Sequence, residues 1–130
     1  MDQISHYASK LAYEIDAADL YAAQQEGQHL VVIDARNAQA YAAEHIPGAL
    51  SLPHRSMDAS STAGLDRAAL YVSYCDGIGC NASTKGALKL AQLGFTVKEL
   101  IGGLDWWKRD GYRTVLGSST TADSPSCACN

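Results

Sequence analysis

Short apolar runs rich in β-branched and aromatic residues alternate with helical patterns along this chain, and that alternation limits its fold more than any other feature. Leu30-Val31-Val32-Ile33 and Leu70-Tyr71-Val72-Ser73-Tyr74 lack clean in-and-out alternation, which is how strands covered on both faces of a parallel sheet read. Val97-Lys98-Glu99-Leu100-Ile101 is a third strand candidate, and residues 11–15 and 49–52 are weaker ones. Helical patterns occupy residues 17–25, 38–44, 66–69, 83–93 and 105–110. In the longest, Ala87, Leu90 and Ala91 form an inward stripe while Lys85, Lys89 and Gln92 face water. Gly94 supplies its stop. The alternation predicts an α/β domain with a mostly parallel sheet and right-handed crossovers, with ligands gathering at the carboxyl edge of the strands.

A chain of 130 residues with 47% apolar content fits one domain that buries roughly two-thirds of its unfolded surface. The formal charge of -4 is mildly acidic and the ten Lys and Arg are scattered, which speaks against nucleic acid or an anionic membrane as partner. The first residues show no charged start followed by an apolar stretch, and no apolar run approaches the ~20 residues of a membrane span. A cytoplasmic protein is expected. From Gly117 the composition shifts to Ser, Thr, Ala and Pro. Residues 1–116 are therefore expected to form the domain and 117–130 a flexible tail ending Cys127-Ala128-Cys129-Asn130.

Four cysteines without a signal peptide point to reactive thiols or metal ligands more than to a disulfide scaffold. Cys75 stands where a strand hands over to a helix, in the loop Cys75-Asp76-Gly77-Ile78-Gly79-Cys80-Asn81. A tight turn with two glycines that leads into a helix N-terminus exposes backbone amides, which together with the helix dipole favour an anion. A thiolate at Cys75 is expected to be that anion. The thiolate is the form that attacks sulfur, and the same amides would steady a persulfide. The alternative is a buried, inert thiol at a strand end.

Val32-Ile33-Asp34-Ala35-Arg36, Glu44-His45-Ile46-Pro47-Gly48-Ala49, Tyr74-Cys75 and Ile101-Gly102-Gly103-Leu104-Asp105-Trp106-Trp107 stand in an order that resembles a single-domain rhodanese-like sulfurtransferase. The resemblance spans residues 11–112. It implies a five-stranded, mostly parallel sheet flanked by helices on both faces, and makes Cys75 the persulfide-carrying residue, with no cofactor and no metal. Sulfane sulfur would pass from a small donor or a persulfidated protein to a thiol or cyanide. Asp34, Arg36, Glu44 and His45 take mostly structural roles, with Arg36 and Glu44 expected to pair, and Gly102-Gly103 reads as a tight strand-to-helix turn.

Two departures from the rhodanese pattern matter. Where those proteins often carry Arg or Lys near the loop's end, this chain has Cys80-Asn81, and Asp76 adds a negative charge beside the nucleophile. Thiosulfate is therefore expected to be a poor donor. The loop also reads as one residue longer, as in phosphatase-like relatives, but Asn81 lacks the charge with which an Arg grips phosphate. A cysteine phosphatase or arsenate reductase is thus disfavoured, and a non-catalytic binding or redox-sensing module is the stronger alternative.

Arg55, after Ala49-Leu50-Ser51-Leu52, is a candidate for the missing positive charge, against the reading that His54-Arg55 is a solvated pair. Cys80 is a candidate resolving thiol for Cys75, against a packing role at the helix start. Cys127 and Cys129 are candidate sulfur acceptors on a tether of roughly fifteen residues, against an uninvolved end. His6, His29, His45 and His54 show no pairing with this Cys-x-Cys that would suit zinc.

Overall fold

The computed structural model describes residues 2–117. In chain order the elements are α1 (Gln3–Tyr13), β1 (Glu14–Ile15), α2 (Ala17–Gln25), β2 (Leu30–Asp34), α3 (Ala38–Ala43), β3 (Glu44–His45), β4 (Leu50–Ser51), a 3-10 turn (His54–Ser56), β5 (Leu70–Tyr74), α4 (Ala82–Gln92), β6 (Thr96–Leu100), α5 (Gly103–Arg109) and β7 (Val115–Leu116). Five strands form one sheet in the order β1-β6-β5-β2-β4, every neighbouring pair parallel. A separate antiparallel pair joins β3 to β7. β5 is central, so its carboxyl end opens in the middle of the sheet edge.

The alternation of side chains along a strand divides the apolar residues of β2 and β5 between two cores. Val32, Val72 and Tyr74 pack with Leu20 of α2 and with Leu104 and Trp107 of α5 on one face. Ile33 and Tyr71 pack with Leu90 of α4, Met57 and Phe95 on the other. Both faces are therefore covered, which explains why neither strand alternates with polar residues.

Two expected elements differ. Residues 11–13 end a helix and only Glu14 and Ile15 pair with β6, because Asp2 caps α1 by accepting from the Ser5 amide at 2.8 Å and the helix runs on through the apolar stretch. Residues 66–69 form a turn rather than a helix. The Asp66 carboxylate accepts from the Ala68 amide and its carbonyl from the Tyr71 hydroxyl, a local closure that a four-residue helix could not outcompete. The tail and its Cys127 and Cys129 lie outside the described residues.

Candidate active site

β5 ends on Tyr74, and Cys75 begins the loop that leads to α4. Two anchors fix this loop. Beneath it, Asp34 ends β2 and Arg36 lies two residues on. Arg36 reaches both Asp34 oxygens, with Nε 3.0 Å from Oδ1 and Nη2 2.7 Å from Oδ2, and Nη1 reaches Asp76 Oδ1 at 3.0 Å. Tyr74 donates its hydroxyl to Asp34 Oδ2 at 2.6 Å and accepts from the Ile46 amide. Burial, with the Asp34 charge beside it, pushes the Tyr74 phenol well above its usual value. Beside the loop, the first amides of α5 are spent on it: Leu104 N–H donates to the Cys75 carbonyl at 2.9 Å and Asp105 N–H to the Asp76 carbonyl at 2.7 Å.

That second anchor explains Gly102-Gly103. Both glycines have positive φ, and a Cβ on Gly103 would lie 2.3 Å from the Cys75 carbonyl oxygen. Gly103→Ala is expected to cost about 1–3 kcal/mol through that clash and the left-handed backbone. Thermal unfolding checks it, and an unchanged midpoint would contradict the anchoring role.

Cys75 is 2% exposed and carries a free thiol. Its sulfur is surrounded by acceptors, unlike the expected ring of amides: the Cys80 carbonyl at 3.2 Å, the Gly77 carbonyl at 3.8 Å and Ser83 Oγ at 3.7 Å. The loop turns its carbonyls inward because the Cys80 amide closes back on the Gly77 carbonyl. Ser83 in turn donates to Glu99 Oε2 at 2.7 Å, and Thr84 donates to the same oxygen at 2.6 Å. Cys75 opens into a cavity of about 230 Å³ whose wall includes Gly77, Ile78, Gly79 and Cys80 of the loop together with Ser83, Glu14 and Glu99.

Several residues singled out from the sequence take other places. Asp76 is paired with Arg36, so its charge is compensated and does not stand against Cys75 as expected. Arg36 meets the Glu44 main-chain carbonyl at 2.5 Å, whereas the Glu44 carboxylate binds Lys108 and Thr114. Burial opposes ionisation of Glu44, but those hydrogen bonds and the charges of Lys108 and Arg36 outweigh it and hold the carboxyl below its usual range. Cys80 is disulfide-bonded while Cys75 is free, so the two do not form the internal pair considered above. Asn81 is the N-cap of α4 and is exposed. Arg55 is exposed on the 3-10 turn and is not among the residues lining the Cys75 cavity. His54 is buried beside it, its carbonyl accepting from Lys89. The sequence reading missed Glu99 and Ser83, whose only signal was a polar residue within β6 and a small hydroxyl at the start of α4.

Residues 16–110 match the rhodanese-like domain model. The chain belongs to the rhodanese-like family. Among its relatives is the thiosulfate sulfurtransferase GlpE of Pseudomonas putida, 40% identical over 87 residues that cover 65% of this chain and 74% of that protein. The BH2092 protein of Bacillus halodurans has a similar structure, with a TM-score of 0.85 and 40% identity over 92% of this chain and 88% of that one. A full-length protein from Lactobacillus plantarum, 31% identical, superposes with a TM-score of 0.74 over 88% of this chain and 96% of its own. The rhodanese-like fold accounts for the five-stranded parallel sheet and for the loop between β5 and α4. No helix among the described residues is long and apolar enough to cross a membrane.

Proposed function

We propose that this rhodanese-like protein is a sulfurtransferase that carries sulfane sulfur as a persulfide on Cys75. The observation that carries the reading is the free thiol of Cys75, lining a cavity at the central strand's carboxyl end. Kinship to GlpE, a thiosulfate sulfurtransferase, supports the reaction class. In the first half-reaction the Cys75 sulfur attacks the outer sulfur of a persulfide R–S–SH. The S–S bond of the donor breaks, R–SH leaves with the proton from Cys75, and Cys75–S–SH remains. In the second half-reaction an acceptor thiol R′–SH takes the outer sulfur to become R′–S–SH and Cys75–SH returns. With cyanide as acceptor the product is thiocyanate. No net oxidation occurs, so no redox cofactor is called for.

The sulfur must lose its proton before attack. The N-terminus of α4 follows the loop, and its first turn has no side-chain cap, so its dipole favours an anion there. Arg36 removes the opposing charge of Asp76. The donor is a persulfide more readily than thiosulfate, because no Lys or Arg lines the cavity among the described residues. A cytoplasmic setting and a small or protein-bound sulfur donor complete the reading.

Sulfur carried on the enzyme requires a two-stroke cycle. Varying donor and acceptor concentrations together should give parallel double-reciprocal lines, as covalent catalysis of this kind does. Lines that converge would mean both substrates meet in one complex, and no turnover with any donor would favour a non-catalytic binding or redox-sensing module.

A further inference from the structure

The carboxylate of Glu99 stands two contacts from the Cys75 sulfur, through Ser83 Oγ at 3.7 Å from the sulfur and 2.7 Å from Glu99 Oε2. Its hydrogen-bond partners are two neutral hydroxyls, Ser83 and Thr84. None of the ion pairs formed among the described residues includes it. Glu14 faces it across the parallel β1–β6 pair and lines the same cavity. The Glu14 charge is shared with Lys10 at 3.1 Å. No Lys or Arg is among the described lining residues, and residues 118–130 contain neither. The ionisable side chains of the described lining, Glu14 and Glu99 beside the Cys75 thiol, thus include carboxylates and no cation, and half-burial of Glu99 limits its screening.

We infer that Glu99, aided by Glu14, is a specificity-determining residue that selects the charge of the sulfur carrier. The cavity takes a carrier that is neutral or cationic beside the reacting sulfur, such as an aminothiol persulfide, and turns away dianionic thiosulfate. This rests on the sulfur-transfer reading proposed above. It places the barrier to thiosulfate on the β6 side of the cavity, since Asp76 is already neutralised by Arg36. Ser83 gives its proton to Glu99 and turns its oxygen toward Cys75, linking the carboxylate to the sulfur.

Methanethiosulfonates of matched size test the charge filter without requiring turnover. Cys75 attacks their sulfenyl sulfur, forming a mixed disulfide, releasing methanesulfinate and giving its proton to buffer. Rates of labelling at Cys75, followed by peptide mapping, are compared for the cationic aminoethyl and anionic sulfonatoethyl reagents and divided by the same ratio for a small free thiol. The cation preference is expected to exceed that reference on the order of tenfold. It should shrink in Glu99→Gln and in wild type between about 0.01 M and about 1 M salt, over which the Debye length falls from about 30 Å to about 3 Å. Glu26→Gln, the same charge change at an exposed residue ending α2, should leave it in place. A wild-type ratio equal to the free thiol's overturns the inference, as does an equal loss in Glu26→Gln and Glu99→Gln. If Glu99→Gln does not fold, the wild-type ratio and its salt dependence decide alone. A charge preference at Cys75 without sulfur uptake from any donor would instead overturn the sulfurtransferase reading and leave the filter standing.

Discussion

Arg36→Ala is expected to remove about 3–5 kcal/mol of stability, the loss seen when one partner of a buried ion pair is deleted. Asp34 is 0% exposed and Arg36 4% exposed, so the substitution leaves a buried carboxylate without its counter-charge. After the substitution Asp34 keeps the Tyr74 hydroxyl and the amide of residue 36. It loses three charged hydrogen bonds, and the Glu44 carbonyl and Asp76 lose their guanidinium donors, Nη2 and Nη1 respectively. Arg36→Lys should recover only part of the loss, since one ammonium cannot span Asp34, Asp76 and the Glu44 carbonyl as a planar fork does. Urea unfolding measures both variants. A loss below about 1 kcal/mol for Arg36→Ala would place the pair among ordinary surface bridges and contradict its role beneath the loop.

Cys75→Ser is expected to lower turnover by at least about a thousandfold, the scale on which removing a covalent nucleophile acts. A serine hydroxyl cannot hold sulfane sulfur as a persulfide and release it to a thiol. The substitution is nearly isosteric at a position already surrounded by hydrogen-bond acceptors, where a hydroxyl finds the Cys80 carbonyl. The fold should therefore persist, and circular dichroism and thermal unfolding verify that the loss is chemical. Transfer retained within about tenfold of wild type would move the reaction to another thiol.

The sheet was legible in the sequence because β2 and β5 are buried on both faces, and burial leaves an unbroken apolar run that needs no knowledge of its neighbours. The position of Cys75 between a strand and a helix was legible for a related reason: it follows such a run and precedes a small-residue turn and a helical pattern. α1 was not legible: its apolar residues Ile4, Tyr7 and Leu11 remain exposed, so no buried stripe marks the helix, and its last residues were read as part of a strand. Arg36 and Glu44 were correctly placed near one another, yet the carboxylate's partners Lys108 and Thr114 lie far along the chain. Glu99 escaped notice for the same reason. Its contact with Ser83 depends on β6 lying beside β5 and on α4 crossing over them, a three-dimensional relation that local pattern does not carry. The inward carbonyls of the loop were also invisible, because which way a peptide unit faces within a turn follows from closure by Cys80 on Gly77 and from the α5 amides that hold Cys75 and Asp76.

The most direct measurement is mass spectrometry of the protein after incubation with a persulfide donor and removal of excess reagent, followed by peptide mapping of each cysteine. The account predicts one added sulfur on the peptide carrying Cys75, discharged by a thiol acceptor and absent from Cys75→Ser. Sulfur found only on other cysteines, or on none with any donor, would contradict it.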